Sequence, residues 1–244
     1  MKSSSDKYLC ASTIKKIISC IIFYEPFLPI SERKSMLSLI NIFYQTRNNS
    51  MSSLQEQILV VKRSILFPDE NAWHGINNTN IESIVATITN NQEYIERAGA
   101  ETNQLYKQII PYMIFTFGDR YFVMQRKATA SEQRLAGKLS LGIGGHMNQE
   151  DMHGKTIFDW AQREFEEEVS YTGNLKITTL GVLNDDTNDV GKVHLGLVLL
   201  LKGDNDQIAI KSEHKSGVLL TKQECLDKFD QFEGWSQHIL QILS

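Results

Sequence analysis

The order of apolar and polar positions along this chain separates strands from helices. Ile58–Phe67 (ILVVKRSILF) is apolar on both sides of a short basic break and predicts a strand. A polar, Asn-rich stretch over Asn77–Asn103 follows and predicts one or two short helices, one near Ile81–Thr89. Ile110–Phe117 predicts a strand, Gly118-Asp119-Arg120 a turn, and Tyr121–Gln125 its hairpin partner. Leu139–Gly145 predicts a short strand ending in glycines, and Ile157–Val169 carries the period of a helix. Leu175–Leu183 and Val193–Leu201 predict strands, the second apolar almost throughout and therefore central in its sheet. A short strand at Ile208–Lys211 and two helices close the chain: Thr221–Phe229, with Thr221 as N-cap, and Gly234–Leu243. The order describes an α/β fold with a mixed sheet and no internal repeat. It lacks the regular βαβ alternation of a Rossmann fold, and neither a GxGxxG nor a P-loop pattern is present.

Residues 1–50 stand apart from this order. They form an N-terminal extension, read either as a short amphipathic helix pair ending in the polar TRNNS or as a segment ahead of a true start at Met51. Their apolar run, Ile17–Tyr24, is far shorter than the roughly 20 residues that span a bilayer. The residues after it lack the small-residue cleavage site of a secretory signal, so a cytoplasmic protein with no membrane partner is expected. Residues 51–244 form the single remaining domain, as a 244-residue length allows.

Charge sharpens the division. Seven Lys/Arg face three acids in residues 1–50, while the whole chain carries a net charge of −4. The domain after Met51 is therefore strongly acidic, which argues against gripping long nucleic acid. Three cysteines without paired spacing give neither a disulfide framework nor a zinc ribbon.

The acids concentrate in the helix at Ile157–Val169. At about 100° per residue, Phe158, Ala161, Phe165 and Val169 share one stripe that should face a core. Glu164, Glu167 and Glu168 project along one flank of that stripe, and Glu166 projects to the other. Like charges at these spacings repel by a few tenths of a kcal/mol per pair. A hard divalent cation offsets that repulsion and keeps water sites for phosphate oxygens. The bland alternative is an ordinary solvated acidic face. Gly144-Gly145, just before the loop that leads to this helix, lets the backbone approach a ligand and offers a carbonyl to a metal.

These residues resemble the Nudix, or MutT-like, hydrolase family. Arg163-Glu164-Phe165-Glu166-Glu167-Glu168-Val169 matches the R-E-U-x-E-E-x core of its box without a gap, U being apolar. The chain departs from the box in three places. Ser170 stands where the box has glycine, Lys155 where counting back from Arg163 finds a glutamate, and the loop between Gly145 and Arg163 is four residues longer. Glu150 and Asp151 lie in that longer loop as substitutes for the missing acid. IPYMIFTFGDRYFVMQRK, GKLSLGIGGHMN, LGVLNDDTNDVGKVHLGLVLLL and GVLLTKQEC extend the resemblance to a subgroup described as predicted phosphoesterases, over about Gln57–Ser244.

The resemblance implies a Nudix-type α/β/α sandwich around a mixed β-sheet. It implies hydrolysis of a pyrophosphate bond in a nucleoside diphosphate linked to another group, with Mg²⁺ as cofactor and Mn²⁺ as a substitute. Glu164, Glu167, Glu168 and the Gly145 carbonyl would bind metal, with Glu164 also a base and Arg163 orienting the acids. Glu213, Asp185 and Asp186 are candidates for a later base or ligand. Arg126, Lys127, Arg134 and Lys138 would supply substrate phosphate contacts, and His146 would hydrogen-bond substrate or fix the loop. His194, in an apolar strand, reads as a core histidine, and Trp73 and Trp160 as packing residues before base-stacking ones. Two other readings follow from the same likeness. One is a non-catalytic nucleotide sensor. The other is an isoprenoid-diphosphate isomerase using Cys225. Homodimerisation is common among such proteins.

Overall fold

The computed structural model describes residues 55–126, 137–150, 156–211 and 215–243, with the side chains of 126 and 215 excepted. All of them fall in one compact unit, Leu54–Ser244. The readings for residues 1–50, Lys127, Arg134, Asp151, Lys155 and Glu213, and for the side chain of Arg126, lie outside the described residues.

The first half runs β1 (Gln57–Lys62), α1 (Arg63–Leu66), β2 (Gly75–Asn77), α2 (Ile81–Asn90), β3 (Glu93–Glu96), α3 (Arg97–Ala100), β4 (Tyr106–Phe117) and β5 (Arg120–Arg126). The second half runs β6 (Leu139–Ser140), β7 (Gly142–Gly144), α4 (Ile157–Glu168), β8 (Val169–Tyr171), β9 (Leu175–Asn184), α5 (Asp189–Val193), β10 (His194–Gly203), β11 (Ile208–Ile210), β12 (Lys215–Thr221), α6 (Lys222–Leu226) and α7 (Gly234–Ile242).

Strand β4 organises the main sheet, whose order is β12-β5-β4-β10-β9-β2. It pairs in parallel with β10 along nine residues, and β10 pairs antiparallel with β9. Strands buried on both faces need apolar residues at nearly every position, which explains the continuous runs YKQIIPYMIFTF and HLGLVLLLKG. Ile109, Met113 and Phe115 of β4 and Leu195, Leu197, Leu199 and Leu201 of β10 face one core, with Trp160, Ala161 and Phe165 of α4. Tyr112, Ile114 and Val198 face the other, with Cys225 of α6 and Ile239 and Leu240 of α7. The architecture is the expected helix–sheet–helix sandwich.

The opposite edge of β4 is shared. β1 pairs with Tyr106–Gln108, and β7 pairs with Tyr112–Ile114. Residues 109–111 between them face a gap. Pro111 sits in this gap, and its carbonyl oxygen lies close to Gly144. Its donorless nitrogen therefore faces the gap and not β10, which is how a proline fits a central strand.

Several elements differ from the sequence expectations. Ile58–Phe67 is not one strand, because the chain turns at Arg63 into α1 and buries Leu66 and Phe67 in the core. β4 begins at Tyr106 because Lys107 and Gln108, though polar, are fully buried. The edge strands β3 and β12 have short or exposed patterns with weak periodicity. Val193 ends α5, and Leu139–Gly145 divides into β6 and β7. On α4, Phe158 is exposed, and the buried stripe is Ile157, Trp160, Ala161 and Phe165. Ala161, Phe165 and Val169 keep the core face that the periodicity gives them, and Trp160, with the larger surface to bury, takes the place of Phe158. A capping box fixes the start of α4: Thr156 Oγ1 accepts from Asp159 N, and Asp159 Oδ2 accepts from Thr156 N. Thr221 and Glu224 form a second box at α6, as the N-cap reading of Thr221 expects.

Candidate active site

A cleft of about 760 Å³ opens at the β4 gap. Its floor is Ile110, Tyr112 and Trp160, and Gly144, Gly145 and His146 form one rim. α4 supplies Arg163, Glu164 and Glu167; the residue before β1 is Glu56; and the segment after β3 supplies Arg97 and Glu101. Asp185, just after β9, and His194, the first residue of β10, join them, and the head of α7 adds Glu233 and Trp235. Among the described residues, six carboxylates and two guanidiniums therefore line it. That imbalance disfavours an anion unless cations accompany it.

The glycine turn and the acidic helix meet here. A Cβ at Gly145 would lie 2.8 Å from Glu164 Oε1 and 3.4 Å from Trp160. Only glycine lets this backbone approach the carboxylate so closely. A Cβ at Gly144 would lie 2.7 Å from the Pro111 carbonyl oxygen, so that glycine serves the packing of β7 on β4. Arg163 Nη1 donates to Glu167 Oε1 at 2.6 Å, and the Arg163 guanidinium lies over the Trp160 ring, 5.7 Å from its centroid. The arginine thus fixes one carboxylate at the cleft. Glu168 is half-buried at the end of α4 and is not among the residues lining the cleft.

The remaining sequence candidates separate. His146 lines the cleft, and burial, aided by the nearby positive charge of Arg97 and by His194, pushes its imidazole down to about 3. His194 is buried, as a core histidine should be, yet it also borders the cleft, with Nε2 3.3 Å from His146 Nε2. Asp185 borders the cleft too. Its Oδ1 accepts from Thr187 N and Oγ1, and His74 and His238 flank it at 3.7 and 3.8 Å. Asp186 turns away to Arg63 and to the fully buried Lys107, whose Nζ donates to it at 2.6 Å and to the Gly191 carbonyl at 2.7 Å. Lys138 is half-buried, donates to the Asp230 carbonyl, and does not line the cleft. Glu150 is exposed. Trp73 donates to the Val182 carbonyl and packs edge-on against Phe67, a structural use.

Cys225 is buried in the α6–α7 core, away from the cleft lining, and burial pushes its thiol up to about 11. A protonated, enclosed thiol is a poor acid or nucleophile. Glu56, Arg97, Glu101, Glu233 and Trp235 also line the cleft and carry no local sequence signal. None sits in a motif, and each reaches the cleft only through strand pairing or the cap of α7.

The donors around Gly145 fit a hard divalent cation. They are carboxylate oxygens beside a backbone turn that a Cβ would fill. No helix among the described residues is long and apolar enough to cross a membrane.

No family model matches the chain. Protein YmaB from Bacillus subtilis (strain 168) is 34% identical over 209 residues, covering 79% of this chain and all of that protein. The crystal structure of Tm1382, described as a candidate Nudix hydrolase, superposes with a TM-score of 0.65 at 29% identity, over 77% of this chain and 97% of its own. With the gapless Arg163–Val169 match, the sandwich fold and the acidic cleft at the glycine turn, this chain belongs to the Nudix (MutT-like) family of hydrolases acting on pyrophosphate bonds.

Proposed function

We propose that the chain hydrolyses the pyrophosphate link of a small nucleoside diphosphate joined to another group, with Mg²⁺ as cofactor and Mn²⁺ as substitute. The observation that carries this reading is the contact of the Gly145 turn with Glu164 in a cleft where carboxylates outnumber guanidiniums six to two. An anionic substrate enters such a cleft as a complex with divalent cations.

Glu164, Glu167, Glu168 and the Gly145 carbonyl would hold the cation. When bound, the cation neutralises phosphate charge and makes water more acidic. Arg163 keeps Glu167 oriented through its 2.6 Å hydrogen bond, so the carboxylate does not reorganise during the reaction. Glu164 Oε1 takes the proton from the attacking water, whose oxygen bonds to phosphorus as the bridging P–O bond breaks. Trp160 and Tyr112 floor the cleft and exclude solvent from beneath. Trp235 offers a flat apolar wall for a nucleobase.

The test is a panel of nucleoside triphosphates, dinucleoside polyphosphates, nucleotide sugars and ADP-ribose, assayed chromatographically for the nucleoside monophosphate and the second phosphorylated product with Mg²⁺ and with Mn²⁺. Turnover of at least one compound is expected, abolished by chelator and lowered by about 100-fold or more in Glu167→Gln. Calorimetric binding of a nucleotide without turnover at any metal concentration overturns the reading in favour of a sensor.

A further inference from the structure

The cleft holds a second set of metal-ligating groups that the acidic helix does not supply. Glu101 follows α3, His146 follows β7, and His194 opens β10. One ligand atom from each lies within 4.8 Å of the other two. We propose that Glu101, His146 and His194 bind a transition-metal cation of the Zn²⁺ class, at a site distinct from the all-oxygen set on α4.

The geometry of the two imidazoles carries the proposal. Two nitrogens held about 2.0–2.1 Å from a tetrahedral ion stand about 3.3–3.4 Å apart. His146 Nε2 and His194 Nε2 stand 3.3 Å apart. The tautomer of His194 is set by its other nitrogen: Nδ1 donates to the Val190 carbonyl at 2.7 Å. That leaves Nε2 with its lone pair facing His146. An imidazole braced on a backbone carbonyl at one nitrogen and presenting the other is the usual arrangement of a histidine ligand.

Glu101 supplies the carboxylate. Its Oε1 lies 3.9 Å from His146 Nε2 and 3.4 Å from Arg97 Nε. Arg97 is shared with Glu56 at 3.6 Å, so the pair of acids keeps a net negative charge beside the imidazoles. Two nitrogens and one oxygen suit a borderline cation better than Mg²⁺, which takes oxygen ligands. The second His/Asp group, His74, Asp185 and His238, is a weaker candidate because Thr187 already occupies Asp185 Oδ1 twice. Zn²⁺ binding at this site is independent of the reaction proposed for the α4 acids.

The experiment is a calorimetric titration of the full chain with Zn²⁺ alone, in a Glu164→Gln/Glu167→Gln background that disables the α4 set. One equivalent of Zn²⁺ is expected to bind. His146→Gln and Glu101→Gln added to that background should each weaken it by about 100-fold or more, since even residues that only support a ligand are worth 10–100-fold. Thermal melting checks that each variant folds, and the partly exposed His146 and Glu101 keep the test available if the buried His194→Gln does not. The absorption spectrum with Co²⁺ should change in His146→Gln. Zn²⁺ affinity within threefold of the parent in His146→Gln, or no Zn²⁺ binding in the double-Gln background, overturns the proposal.

Discussion

Gly145→Ala should separate catalysis from stability. A Cβ at this position would lie 2.8 Å from Glu164 Oε1, against about 3.4 Å for ordinary contact. Either the carboxylate or the turn must give by about 0.6 Å, and the carboxylate is the free end of a flexible side chain. The next neighbour, Trp160 at 3.4 Å, is not crowded. Gly145 is not among the glycines with positive φ, which are Gly75, Gly118 and Gly137 among the described residues, so alanine adopts its backbone without strain. Replacing glycine at a compatible position stabilises by about 0.4–1 kcal/mol through the unfolded state. That is a Tm equal to the parent's or higher by roughly 1–4 °C for a domain of this size. Moving a reacting group by a large fraction of an ångström costs about 10- to 100-fold in rate. The assay is kcat on the best compound of the substrate panel, beside a thermal melt. Parental kcat would refute the role of the Gly145 approach in placing Glu164. A Tm lowered by several degrees would show that the contact meets something rigid.

Three further outcomes follow from other positions. Gly144→Ala should lower Tm by roughly 3–10 °C, from about 1–3 kcal/mol of overpacking, because its Cβ meets the Pro111 backbone oxygen at 2.7 Å; an unchanged Tm refutes that packing. Burial tends to raise the Asp186 carboxyl, but hydrogen bonds from Arg63 and Lys107 outweigh it and hold it down at about 2. A carboxyl lowered on folding contributes about 2 kcal/mol that is fully present above its usual 3.8 and is lost as pH falls toward about 2. Asp186→Asn should therefore flatten the fall of Tm between pH 4 and 2, and slopes equal to the parent's contradict the network. Glu168→Gln should reduce kcat by about 100-fold; full activity removes Glu168 from the metal set.

Much of the fold was legible because local pattern and tertiary demand agreed. The two-sided apolar runs of β4 and β10 require burial on both faces, and they became the parallel pair at the sheet's centre. At other positions burial overrides composition. Lys107 is fully enclosed because Asp186 and two backbone carbonyls satisfy its three donors, a compensation no local pattern announces. Phe158 lost the core face to Trp160 because helical period fixes the width of a stripe and not its centre.

By itself the sequence determined the acidic helix, its family resemblance and the glycine turn before it. Those features are contiguous, and helix geometry converts spacing directly into a shared face. Only the tertiary structure decided which distant residues join them. Glu101, Asp185, His194 and Glu233 come from separate segments, and the pairing of β4 with β1, β7 and β10 brings three of them to one cleft. Glu233 reaches it by capping α7 and accepting from Tyr112 Oη. Contacts across 48 and 121 residues are set by sheet register and core packing, which depend on the whole chain at once.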